Sequence, residues 1–87
     1  MEQFDSAESF GELIRENRRR LGITQEDLAR AVGKSRRWII ELEAGQEGVG
    51  LGAALAAARA VGLRLNARSI PDDGRDLLAL VLGESDG

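Results

Sequence analysis

An all-α fold followed by one short β-strand is what this sequence predicts, and three observations carry that expectation. Four helical segments, each ended by a glycine, precede a stretch whose apolar period drops from 3.6 to 2. The chain has 87 residues and no cysteine, so it forms one small domain without disulfides. Domains of this size hide only roughly 60% of their unfolded surface, which favours pairing with a second copy.

The first helix opens on a capping-box pattern, Ser9 with Glu12 three residues later, and carries apolar residues at Phe10, Leu13, Ile14 and Leu21. Gly22 supplies a left-handed stop. Thr24 then caps a second helix, about Gln25 to Val32, with Asp27 at its third position and Leu28, Ala29 and Val32 facing inward. It ends at Gly33. Ser35 caps a third helix, roughly Arg36 to Glu43, which turns Ile39 and Leu42 to one face and Arg36, Arg37, Ile40 and Glu41 elsewhere. Gly45 closes it.

After the glycine-rich loop from Gly45 to Gly50, Leu51, Leu55, Ala58 and Val61 give the expected buried stripe of a fourth helix, ended by Gly62. Its entry, Gly48-Val-Gly50-Leu-Gly52, lacks a Ser or Thr cap, so fraying or a late start is expected there. From Leu63 to Ile70 the pattern alternates, with Leu63, Leu65 and Ala67 against Arg64, Asn66 and Arg68, until Pro71 stops it. A lone strand cannot satisfy its own backbone hydrogen bonds. Its expected partner is the same strand of another subunit, which makes Leu63, Leu65, Ala67 and Ile70 the expected dimer interface. Asp72 or Asp73 is positioned to cap a short helix carrying Leu77, Leu78, Leu80, Val81 and Leu82. The expected divisions are an acidic N-terminal tail at 1–9, a helical domain at 10–62, a dimerisation strand at 63–70 and a C-terminal tail at 71–87.

A net charge of −3 conceals strong segregation. Residues 70–87 sum to −4 and the first nine to −3. Arg15 to Arg37 carries Arg15, Arg18, Arg19, Arg20, Arg30, Lys34, Arg36 and Arg37 against Glu16, Glu26 and Asp27, a local +5. That is the electrostatic footprint expected of a surface that meets phosphates. Histidine, cysteine and tyrosine are absent, which removes the usual general bases, nucleophiles and soft metal ligands. No enzyme, cofactor or metal is expected. The apolar runs are far shorter than the ~20 residues of a membrane span, and the acidic N-terminus is unlike a leader peptide, so a cytoplasmic protein is expected.

The run Thr24-Gln-Glu-Asp-Leu28-Ala29-Arg-Ala-Val32-Gly33-Lys-Ser35-Arg36-Arg37-Trp38-Ile39-Ile40-Glu41-Leu42-Glu43-Ala-Gly45 resembles the helix-turn-helix of the phage-repressor-like (Xre) family. Ala29 is small where the two helices cross, Gly33 makes the turn, and Val32 and Ile39 fill the space between them. The resemblance implies a sequence-specific DNA-binding repressor whose third helix enters the major groove at its N-terminal end. Arg36 and Arg37 would there bond the O6 and N7 of guanine. Ile40 and Glu41 occupy the next outward positions, either touching a thymine methyl and a cytosine amine or facing solvent.

Gln25 and Ser35 resemble the family's phosphate-contacting positions, with Lys34 or Arg37 sharing that duty. Two roles are open to Trp38, lying against the DNA backbone or covering the gap between helices 2 and 3. Partial burial is the preferred one. Arg18 and Glu43 match a pair that forms an internal salt bridge between helices 1 and 3 in related repressors, while Arg19 and Arg20 read as solvated or phosphate-facing.

Within the family, Ser35 to Glu43, the aliphatic fourth helix and Gly62-Leu-Arg-Leu65 look like HipB-type antitoxins over roughly Phe10 to Ile70. That branch implies strand pairing across a two-fold axis, an inverted-repeat operator on double-stranded DNA, repression of the protein's own operon and a HipA-like kinase toxin as partner. A stand-alone regulator without a toxin and a protein-interaction module with secondary DNA binding are the competing readings. The tail from Asp72 to Gly87 has three: packing on its own dimer, binding a partner, or disorder.

Overall fold

A computed structural model describes residues 4–69 and 75–83. Five helices occur among them: α1 (Ala7–Arg20), α2 (Gln25–Val32), α3 (Arg36–Glu43), α4 (Leu51–Ala60) and α5 (Arg75–Leu82). The ends of α1 to α4 share one chemistry. Gly22, Gly33, Gly45 and Gly62 all have positive φ. In each case the amide of the following residue reaches back to a carbonyl five residues earlier, as Ile23 does to Arg18 (3.0 Å) and Leu63 to Ala58 (2.8 Å). This is the Schellman closure, which satisfies the orphan carbonyls of a last helical turn. At Gly33 it also sets the sharp exit from α2 that turns the chain into α3 within two residues.

The starts of α2 and α3 lie where their caps place them. The Thr24 hydroxyl accepts from the Asp27 amide (3.0 Å), and the Asp27 carboxylate accepts from the Thr24 amide (3.2 Å). The Ser35 hydroxyl accepts from the Trp38 amide (3.1 Å). Helix α1 differs from expectation, because Ser6 rather than Ser9 is its cap. Ser6 accepts from the Ser9 amide, and the Ser9 hydroxyl accepts in return from the Ser6 amide, so the helix starts three residues early and takes up the end of the expected tail. Leu21 also departs from the expected apolar face of helix 1, since it lies past the last turn and is exposed.

The core is formed by Ile14 of α1, Leu28 and Ala29 of α2, Ile39 and Leu42 of α3, and Ala54, Ala57, Ala58 and Val61 at α4. Helix α3 packs on both α1 and α2, and α4 packs on α2. Gly11 sets the α1–α3 crossing. A Cβ there would run into the Leu42 carbonyl oxygen and lie 2.7 Å from that of Glu43, so the two backbones touch where only glycine fits. From α1, Asn17 also donates to the Val61 carbonyl (3.3 Å), tying it to the end of α4.

Helix α4 begins at Leu51 without a side-chain cap, and of its expected buried stripe Ala58 and Val61 are buried but the two leucines are not. Leu51 is 75% exposed and Leu55 half-buried, whereas Ala54 and Ala57 complete the buried face. The face is rotated by three residues, about 60° around the axis. Alanines let α4 approach α2 closely, and the bulkier leucines are displaced to the flank.

Residues 63–69 join no ladder, and no strand occurs among the described residues. Residues 63–69 of the expected strand therefore have no strand partner among the described residues. Leu63 and Leu65 instead pack at the edge of the core, and Ala67 is exposed. Ile70 and the expected caps Asp72 and Asp73 lie outside the described residues. Helix α5 is present and turns Leu78, Leu80, Val81 and Leu82 to solvent. No helix among the described residues is long and apolar enough to cross a membrane.

Candidate nucleic-acid interface

The starts of α2 and α3 and the end of α1 converge on one face. Between them runs an open groove of about 760 Å³, lined by Arg15, Arg18 and Arg19 of α1, Thr24 to Glu26 at the start of α2, and Arg36, Ile40 and Glu43 of α3. Positive charge dominates it. Arg36 and Ile40, one turn apart, turn toward this groove. Ile40 is 42% exposed, which is high for an isoleucine beside a formed core.

Arg37 and Glu41 lie one residue further round the helix and pair with each other, with Arg37 Nε 3.2 Å from Glu41 Oε2. The Arg37 side chain is 86% exposed, so such an i,i+4 pair is worth only about 0.3–0.5 kcal/mol. So weak a pair leaves the Arg37 guanidinium available to other acceptors.

Beneath the face, Arg18 and Glu43 form a buried bidentate ion pair. Arg18 Nε donates to Glu43 Oε2 at 2.6 Å and Nη2 to Oε1 at 3.1 Å, with side chains 9% and 4% exposed. A third bond runs from Arg18 Nη1 to the Ile23 carbonyl (2.9 Å), and Gln25 Nε2 donates to Glu43 Oε1 (3.1 Å). This cluster joins α1, the turn before α2, α2 and α3, and so sets the height and tilt of α3. Among the described residues no buried side-chain polar atom lacks a hydrogen-bond partner.

Of the expected phosphate-contacting residues, Gln25 is half-buried and committed through its amide nitrogen to Glu43. The Ser35 hydroxyl is occupied as the α3 cap. Trp38 is half-buried against the core, and Lys34 Nζ lies 5.6 Å from the centre of its ring. That distance permits a cation–π contact holding the ammonium at the edge of the face. Of the groove residues, Arg15 is marked in the sequence only by its charge, and Arg19 reads there, with Arg20, as solvated or phosphate-facing. The spacing of Arg15, Arg18 and Arg19 (i, i+3, i+4) is the helical signal that places the three on one side of α1.

Two short helices joined by a glycine turn, the second exposed at its start and braced from α1, define an architecture that comparison with known proteins identifies. The profile of a helix-turn-helix domain matches residues 9–69. The chain belongs to the helix-turn-helix family. In its terms α2 is the first helix of the motif and α3 the second. The chain is also similar to a protein of Methanothermobacter thermautotrophicus (strain Delta H) described as an uncharacterized HTH-type transcriptional regulator. The two are 52% identical over 50 residues, covering 58% of this chain and 72% of that protein.

Proposed function

We propose that this protein is a sequence-specific DNA-binding repressor that acts as a homodimer and reads bases through the start of α3. The observation that carries the reading is the exposed pair Arg36 and Arg37 at the start of a helix braced from below by the Arg18–Glu43 cluster. Arg36, Arg37, Ile40 and Glu41 take the base-reading roles. Lys34, Trp38 and the starts of α2 and α3 meet the backbone.

Pairing of residues 63–70 between two copies gives this segment a strand partner, and it presents two copies of α3 to successive major grooves. The operator is then an inverted repeat with half-site centres on the order of 34 Å apart. Binding of wild type and Arg36→Ala/Arg37→Ala to DNA upstream of the protein's own gene, across a salt series, tests the reading. Salt-sensitive binding that loses sequence preference in the variant supports it. Absence of wild-type binding overturns it.

The HipB-type resemblance extends the proposal to an antitoxin that represses its own operon and binds a HipA-like kinase. The exposed leucines of α5 offer an apolar surface for such a protein partner. Co-purification with a kinase encoded beside this gene tests that extension, and a neighbourhood without one leaves a stand-alone regulator.

A further inference from the structure

We propose that α1 itself holds the DNA backbone, with Arg15 and Arg19 gripping a phosphate of the strand that borders the bases read by α3. The inference rests on the DNA-binding reading and adds to it a contact made from outside the two-helix motif.

Arg15 and Arg19 line the groove beside Arg36, and among the described residues none of the three takes part in an ion pair. The groove also contains Arg18, Glu43 and Glu26. Arg18 and Glu43 neutralise each other, so three free guanidinium groups face one carboxylate, a local excess of +2. Solvation costs little for arginines on an open surface, but their convergence works against the fold by mutual repulsion, and an anion relieves it.

The floor of the groove adds neutral donors. At the start of α2 the Thr24 and Asp27 amides are engaged in the capping box, while those of Gln25 and Glu26 have no acceptor within the helix. Two free amides at a helix N-terminus beside three guanidinium groups suit a phosphate diester. Because Arg36 belongs both to this groove and to the proposed base-reading end of α3, the phosphate held there adjoins the recognised bases.

The test is the salt dependence of DNA binding for wild type, Arg15→Gln/Arg19→Gln and the control Arg20→Gln. Arg20 is exposed on the same helix but does not line the groove, so it removes a like charge without removing the contact. Each lost phosphate contact lowers the log–log slope by about 0.9. The double variant is expected to lower it by about 0.9, equally on operator and random duplex and with a urea midpoint no lower than that of wild type, while Arg20→Gln lowers it by less than about half that amount. Salt-dependent wild-type binding with the same slope in the double variant, or an equal loss in Arg20→Gln, overturns the α1 contact alone. A wild type that binds no duplex overturns the DNA-binding reading along with it.

Discussion

Replacing Glu43 by alanine is expected to be among the most damaging single changes in this chain. Glu43 receives two bonds from Arg18 and one from Gln25, and its side chain is 4% exposed. Without it the Arg18 guanidinium stays buried with only the Ile23 carbonyl as acceptor. Leaving such a charge unpaired costs about 3–5 kcal/mol, whereas an exposed pair would be worth under about 1 kcal/mol. At about 0.05–0.15 kcal/mol per residue, a chain of 87 residues has about 4–13 kcal/mol in total, so this change removes a large share of it.

The assay is urea unfolding of wild type, Glu43→Ala and Arg18→Met/Glu43→Leu. Apolar replacement of both partners removes the buried charge, so the double variant should recover most of the loss despite starting from two substitutions. The Ile23 carbonyl and Gln25 amide that it releases are half-buried and within reach of water. A loss below about 1 kcal/mol for Glu43→Ala, or a double variant no more stable than the single one, would refute the argument. In heat denaturation each kcal/mol should appear as about 4–8 °C.

Gly11→Ala tests the α1–α3 crossing through its sign. In an open helix the change gains roughly 0.8–1 kcal/mol, but here the new Cβ meets two α3 carbonyls, so a loss of about 1–3 kcal/mol in urea is expected. A stabilised variant would show that the helices stand further apart. Asp27 tests the α2 cap through pH. Hydrogen bonding from the Thr24 backbone amide, then from the Thr24 side chain, and the nearby Arg30 charge hold its carboxyl below the ordinary value of 3.8. A depressed folded pKa contributes stability that is complete above the unfolded value and is lost as pH falls through the folded one. Asp27→Asn keeps an acceptor and removes the charge, so its deficit relative to wild type should be constant near neutral pH and shrink below about pH 4. A deficit that does not change with pH would assign the effect to something other than ionisation.

The bounds of α2 and α3 were legible residue by residue because their signals are local. Thr24 with Asp27, Gly33, and Ser35 each act within a few positions of the backbone groups they satisfy. The same rule misplaced the start of α1, where two serines compete and the reciprocal bond comes from Ser9 instead of a glutamate. For the candidate site, the sequence pointed to exposed arginines at the start of α3, and charge counting found the basic segment. It did not separate Arg15 and Arg19, which share a groove, from Arg20, which does not line it.

Local backbone chemistry thus let the sequence alone determine where α2 and α3 begin and end, which residues of α3 face away from the core, and that positive charge gathers in the middle of the chain. Tertiary structure decided what depends on how closely two elements approach. The alanine face of α4 displaces its leucines, Gly11 lets α1 touch α3, and Gln25 turns inward to Glu43. Such contacts are made between residues distant in the chain, where volume and distance between backbones outweigh the periodicity that a sequence displays.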